Sequence, residues 1–235
     1  MTSELSFPTC NICGCSVFTT GPGGRRAANG SFPHCNQCDS LERHRASHSF
    51  IDNFDPEFLN WRIALQISPD PSCDPKWFKS YEVSIYEDGG IDIQKIDRPD
   101  SSYDFITISH VLESVPDDQS SIRELARVLS ETGFIHLILA DPLKEKSIDF
   151  DSATGVFGFY HNYGVDFAER FNFDSNGLNL ILIKSLDPIT GLFEIIHLIS
   201  KSKETHLDLV NKIKKIESQN GMTINSTSFH YILKE

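Results

Sequence analysis

Two cysteine pairs, Cys10-x-x-Cys13 and Cys35-x-x-Cys38, bracket a stretch from Gly14 to His34 that is rich in glycine and turn formers and poor in apolar side chains. Such a stretch cannot fold on burial alone. Two knuckles of this spacing can set four thiolates tetrahedrally around one Zn²⁺, whose binding energy then supplies the missing folding energy. The alternatives are a disulfide pair or unrelated free thiols; a reducing cytosol disfavours the first and the paired spacing disfavours the second. Cys15 and His34 lie close enough in sequence to be substitute ligands. Four protein ligands leave no open position for water or substrate, so the zinc expected at Cys10, Cys13, Cys35 and Cys38 is structural.

Three further stretches carry chemistry. Ser40-Leu41-Glu42-Arg43-His44-Arg45 follows the second knuckle and opens a helix through Ile51; charged helix starts are mostly solvated or paired, so it reads as a clamp for the zinc knob before it reads as catalytic. Glu87-Asp88-Gly89-Gly90 ends a short apolar run, and a carboxylate at the end of a second strand can accept hydrogen bonds from both hydroxyls of a ribose. As an acidic turn before Gly-Gly it also fits a solvated loop. Residues 149–163 hold five aromatic side chains with His161 among them, a composition suited to lining an apolar pocket or to packing beneath a loop.

The element that must position these groups runs from Tyr103 to Pro142. Phe105, Ile106 and Ile108 form a short buried strand. Ser121 and Glu124 have capping-box spacing, Ile122, Leu125, Val128 and Leu129 form one apolar stripe, and Gly133 suits a left-handed helix end. Phe134 to Ala140 is a second strand, stopped by Asp141-Pro142. Two buried strands joined by one helix predict a right-handed crossover of a parallel sheet. Upstream, Arg62 to Asp70 is the first strand with its Ser68-Pro69-Asp70-Pro71 turn, and Val83 to Tyr86 the second. That first turn lacks the glycines by which a nucleotide loop lets backbone approach its ligand. Downstream, 166–171 predicts a short helix, 178–184 and 192–199 a hairpin-like pair of strands, 205–219 a helix ending at Asn220-Gly221, and 229–233 an edge strand or partner contact.

With 235 residues, 39% of them hydrophobic, the chain can fill one α/β domain with a small appendage. The expected division is a zinc-binding knob over 1–45, a Rossmann-like domain over 46–200, and a C-terminal helix and tail over 201–235. No run is long enough to span a membrane and the N-terminus lacks signal-peptide character, so no membrane contact and a cytoplasmic location are expected. A net charge of -12 would repel a phosphate backbone, making nucleic acid an unlikely partner beside a small molecule or a protein.

The sequence resembles class I S-adenosylmethionine-dependent methyltransferases of a bacterial subgroup with an N-terminal zinc knuckle. The similarity covers roughly 8–173: the Cys-x-x-Cys-x-Ser-Leu-Glu-Arg-His-Arg segment from Cys35 to Arg45, the apolar-Pro-acidic-Pro-Ser turn from Ile67 to Ser72 in place of a glycine-rich loop, and the run from Asp92-Ile93 to Gly133. The resemblance implies S-adenosylmethionine as cofactor, with Ser68, Pro69 and Asp70 beside its methionine part, Glu87 or Asp88 on the ribose, Asp92 with Ile93 at the adenine edge, and Ser109 with His110 bordering the sulfonium. Ser114 stands where the family commonly has His, and the polar, histidine-containing stretch before Tyr163-Gly164 is shortened. Methyl transfer is an in-line displacement, so a base is needed only where the acceptor must lose a proton early; His161 and His110 are the candidates, each equally readable as a histidine hydrogen-bonded in place. Three functions remain open: a methyltransferase on a small-molecule or sugar acceptor, a degenerate relative serving as a binding protein or scaffold, and an RNA methyltransferase gripping a stem through Arg25, Arg26, Arg43 and Arg45. Oligomeric state is not legible.

Overall fold

The computed structural model describes residues 8–140, 144–155 and 158–220, without the side chains of Glu87 and 218–220. The expected strand stop at Asp141-Pro142, the aromatic Phe157, the helix stop at Gly221 and the edge strand at 229–233 lie outside the described residues. In chain order the elements are β1 (Phe18–Thr19), β2 (His34–Cys35), α1 (Glu42–Asp52), α2 (Pro56–Leu59), β3 (Ile63–Ile67), β4 (Ser80–Ser84), β5 (Tyr103–Ser109), α3 (Asp118–Val128), β6 (Leu129–Ile138), β7 (Ile148–Thr154), β8 (Phe159–Asn162), α4 (Phe167–Arg170), β9 (Asn179–Leu186), β10 (Phe193–Ser200) and α5 (Lys203–Asn220).

The central sheet has the order β4-β3-β5-β6-β10-β9. Neighbours from β4 to β6 are parallel and β10 joins β6 antiparallel. This is the Rossmann-like α/β sheet expected, with the last pair of strands closing one edge. Leu65, Ile106, Ile108, Ile135 and Leu137 present one face of it to Ile122, Leu125 and Val128 of α3 and to Tyr163, Phe167 and Phe171. Each of these β-branched or large apolar side chains is buried, which is why the short runs hold as strands between polar turns.

Several local expectations are corrected. The helix after β5 begins at Asp118, because the Asp117 carboxylate caps it by accepting from Ser120 N at 2.9 Å. Ser121 therefore lies inside the first turn, and Glu124 reaches Ile96 N at 2.9 Å and pairs with Arg127 instead of closing a capping box. Gly133 is a strand residue of β6 and is not left-handed; a Cβ there would stand 2.8 Å from Leu129 Cδ1 and 3.0 Å from Asp104 O, so close packing explains it. The second strand is Ser80–Ser84, earlier than the apolar residues suggested, and Tyr86–Asp88 is a single 3-10 turn. Residues 148–162 hold β7 and β8, an antiparallel pair that the aromatic composition of 149–163 did not announce. Among the described residues, the links from β3 to β4 and from β4 to β5 hold only single 3-10 turns, where a doubly wound sheet ordinarily has α-helices.

The chain divides into two compact units. The first comprises Met1–Asp55, Asp70–Asp74 and Lys184–Glu194, and the second Pro56–Pro69, Pro75–Ile183 and Ile195–Glu235. No described helix is long and apolar enough to cross a membrane.

Candidate functional site

In the first unit, two tight turns bring the four paired cysteines together. Gly14 N donates to Cys10 O at 2.7 Å, and Asp39 N to Cys35 O at 3.1 Å, folding each Cys-x-x-Cys back on itself. Cys10 and Cys38 Sγ are 3.7 Å apart, Cys13 and Cys35 Sγ 3.5 Å, and all four sulfurs lie within 4.8 Å of one another. Tetrahedral zinc at Zn–S of about 2.3 Å sets sulfurs roughly 3.8 Å apart, so the spacing fits the ion. Burial raises the thiols of Cys13 and Cys38, whereas at Cys35 the same effect is outweighed by the backbone N–H groups of Cys38 and Gln37, which draw it down to about 6. The substitute ligands are engaged elsewhere: Cys15 Sγ accepts from Val17 N at 3.3 Å, and His34 meets Thr19 at 3.2 Å and Asp39 at 3.2 Å.

In the second unit, strand order reverses at β3, whose neighbours β4 and β5 lie on opposite sides; the crevice at the carboxyl ends there is where such sheets bind ligands. Two non-glycine residues end the flanking strands in the left-handed region, Ser68 after β3 (φ 64°) and His110 after β5 (φ 54°). That conformation costs on the order of 1 kcal/mol or more and persists where surrounding structure enforces it. Ser68 N donates to Ser84 O and His110 N to Ile138 O, each at 3.0 Å, so neighbouring strand ends hold both turns. The Ser109 hydroxyl beside them is buried without a hydrogen-bond partner among the described residues.

A groove of about 480 Å³ runs along β4 and the loop after it, lined by Ser84, Asp88, Gly89, Gly90, Asp92 and Lys95 among others. Gly90 is required there, since a Cβ would lie 2.5 Å from Ile85 O. Of the expected site residues, Asp88 and Asp92 thus share one groove, and Asp92 Oδ1 also accepts from Gln94 N at 2.9 Å. Ile93 points into the core. Ser68, Pro69, Ser109 and His110 mark the strand ends. Asp70 belongs to the first unit, where its carboxylate accepts from the backbone N–H of Ser72 at 2.8 Å and from its hydroxyl. The side chain of Glu87 lies outside the described residues.

His161 sits apart from that groove in a polar knot. Its Nε2 donates to Val115 O at 3.0 Å, while Nδ1 lies 2.7 Å from Asp149 Oδ1 and 3.3 Å from Arg170 Nη2. Arg170 also donates to Asp118 at 2.7 Å and 2.9 Å, and Tyr163 OH donates to the same carboxylate at 3.1 Å. Arg170 and His161 together hold the Asp149 carboxyl below the usual carboxylate range, and burial pushes the Tyr163 hydroxyl upward. Both ring nitrogens of His161 are therefore committed within the fold. Asp118, Asp149 and Arg170 escaped the sequence reading because they lie up to 52 residues apart and form no local pattern. Arg45 was read only as part of a charged helix start; its pairing with Asp187, at 2.7 Å and 2.8 Å with neither side chain exposed, escaped for the same reason at a separation of 142.

Residues 86–137 match the family model described as a methyltransferase domain, so the segment from the turn after β4 into β6 carries methyltransferase-domain sequence. A search of curated proteins found no match. Among solved structures, the chain is similar to the YcgJ protein of Bacillus subtilis at 13% identity, covering 68% of this chain and 99% of that one with a TM-score of 0.47. It is likewise similar to the 1,6-didemethyltoxoflavin-N1-methyltransferase of Burkholderia thailandensis, solved with S-adenosylhomocysteine, at 10% identity over 67% and 77% of the two chains with a TM-score of 0.44. A third is an S-adenosylmethionine-dependent methyltransferase from Aquifex aeolicus, at 15% identity over 64% and 92% with a TM-score of 0.37.

Proposed function

We propose that the protein is an S-adenosylmethionine-dependent methyltransferase acting on a small-molecule or sugar acceptor, with the cofactor over the carboxyl ends of β3, β4 and β5. The observation that carries this reading is the pair of left-handed residues, Ser68 and His110, flanking the reversal point beside the unpartnered hydroxyl of Ser109. A buried hydroxyl without a partner is costly unless a ligand completes it, so the residues there fit a polar cofactor. Bound there, the cofactor supplies an electrophilic methyl group. Asp88 or Glu87 receives the ribose hydroxyls, Asp92 meets the adenine edge while the buried Ile93 anchors its loop to the core, and Ser109 offers its hydroxyl. His110 borders the transferred methyl and is the base where the acceptor must lose a proton. His161, tied to Asp149 and Val115, serves by fixing β8 against the Val111–Asp118 turn unless the acceptor opens its Nε2 contact.

Cys10, Cys13, Cys35 and Cys38 would hold zinc as a structural ion. A net charge of -12 supports an acceptor other than RNA. The second reading, a binding protein without turnover, is favoured by the helix-free link from β3 to β4, which leaves no helix N-terminus to meet an anionic ligand group.

Calorimetric titration with S-adenosylhomocysteine tests the proposal. Saturable binding is expected, weakened by about 1–3 kcal/mol in Asp92→Ala through loss of a buried polar contact. Absence of binding in the wild-type chain would contradict the methyltransferase reading. Binding without methyl transfer to any acceptor in a small-molecule panel would favour the second.

A further inference from the structure

The cysteine cluster does not end at its sulfurs. Ser40 is fully buried, and its hydroxyl stands 3.4 Å from Cys10 Sγ and 3.3 Å from Cys38 Sγ. Arg45 Nη1 donates to that same hydroxyl oxygen at 3.3 Å and to Ser40 O at 2.8 Å. A serine hydroxyl has a single hydrogen. A thiol at Cys38 donates to that oxygen, but metal-bound thiolates can only accept, so with Arg45 donating to the oxygen the hydroxyl hydrogen then turns to a sulfur.

Arg45 is itself fixed from the far side. Its Nε and Nη2 donate to the two carboxylate oxygens of Asp187. Asp187 Oδ2 also accepts from Thr190 N at 3.0 Å and Thr190 Oγ1 at 2.7 Å, closing the turn between β9 and β10. Asn29 Nδ2, from the loop between the two cysteine pairs, donates to Thr190 O at 2.6 Å. All these residues belong to the first unit.

We propose that Ser40, Arg45 and Asp187 form the outer shell of a metal centre at the four cysteines, and that metal loading orders the 187–191 turn through them. The inference rests on reading the cysteines as a metal site. Four thiolates around a divalent ion carry two net negative charges, and donors aimed at sulfur spread that charge and orient the ligands. The Ser40 hydroxyl is such a donor. Arg45 polarises it and fixes its direction, and Asp187 carries the constraint to the turn. A fully buried ion pair adds little net stability over apolar packing of equal volume, so positioning is the better account of keeping one here. Ser40 and Arg45 are positioning residues; neither is a ligand.

Cobalt(II) substitution of the full-length chain reads the sulfur environment directly. In Ser40→Ala the sulfur-to-cobalt charge-transfer band should move to lower energy, because thiolates stripped of a donor are easier to oxidise. Zinc affinity, measured by competition with a chromogenic chelator, should fall roughly tenfold to hundredfold. Ser40→Thr, which keeps the hydroxyl, should restore both. Removing the metal from the wild-type chain should accelerate amide exchange in residues 187–192, with peptides from β5 as the unaffected control. Ser40→Ala with unchanged band and affinity would overturn the inference while leaving the metal site standing. A wild-type chain that binds neither cobalt nor zinc would overturn the metal reading itself, and the inference with it.

Discussion

Ser68 and His110 show how a residue can mark a site that composition hides. Neither is a glycine, yet each holds φ near +60° at the end of a strand beside the reversal point. Glycine adopts that conformation without the steric cost, so Ser68→Gly should raise stability by about 1 kcal/mol in urea unfolding. If the strained turn shapes the cofactor crevice, the same change should weaken S-adenosylhomocysteine binding, whereas Ser101→Gly, also left-handed (φ 57°) but at an exposed loop position, should stabilise without touching affinity. Equal effects on affinity at both positions would detach strain from function. Left-handed serine has no local signature, so the sequence located the turn after β3 without revealing its conformation.

Among the elements, β6 and β10 carry buried histidines on adjacent strands, His136 and His197. Burial lowers both rings from an ordinary value of 6.5, His136 to about 4 and His197 to about 3. The unfolded chain binds these protons from pH 6.5 downward while the folded chain refuses them. Their contribution to stability is therefore full above pH 6.5 and is lost progressively as pH falls toward 3 to 4. At pH 5 each costs on the order of 2 kcal/mol. His197→Phe, set against the ring of Phe167, should consequently lose less stability between pH 7 and pH 5 than the wild-type chain when urea midpoints are compared; parallel losses would contradict the assignment. The strands themselves were legible because Phe105, Ile106, Ile108 and, except for His136, Phe134 to Ala140 are apolar with polar stops. The β7–β8 pair was not, because β7 is mostly exposed and offers no apolar face to read. The start of α3 was misplaced by four residues, from Ser121 to Asp117 as N-cap, because both residues suit that position and only the fold shows which backbone N–H is captured.

At the scale of the whole molecule, the sheet and the cysteine cluster follow from patterns within a few tens of residues. The Arg45–Asp187 pair and the His161 knot join residues remote in sequence, and one chain offers no means of pairing them beforehand. The central claim is that S-adenosylmethionine lies over the carboxyl ends of β3, β4 and β5. Ultraviolet cross-linking of the chain with methyl-tritiated S-adenosylmethionine, followed by peptide mapping, measures this most directly. The account predicts label in peptides spanning 63–69, 84–94 or 107–115, suppressed by excess S-adenosylhomocysteine and reduced in Asp92→Ala. Label confined to other peptides, or no label that S-adenosylhomocysteine can displace, would contradict it.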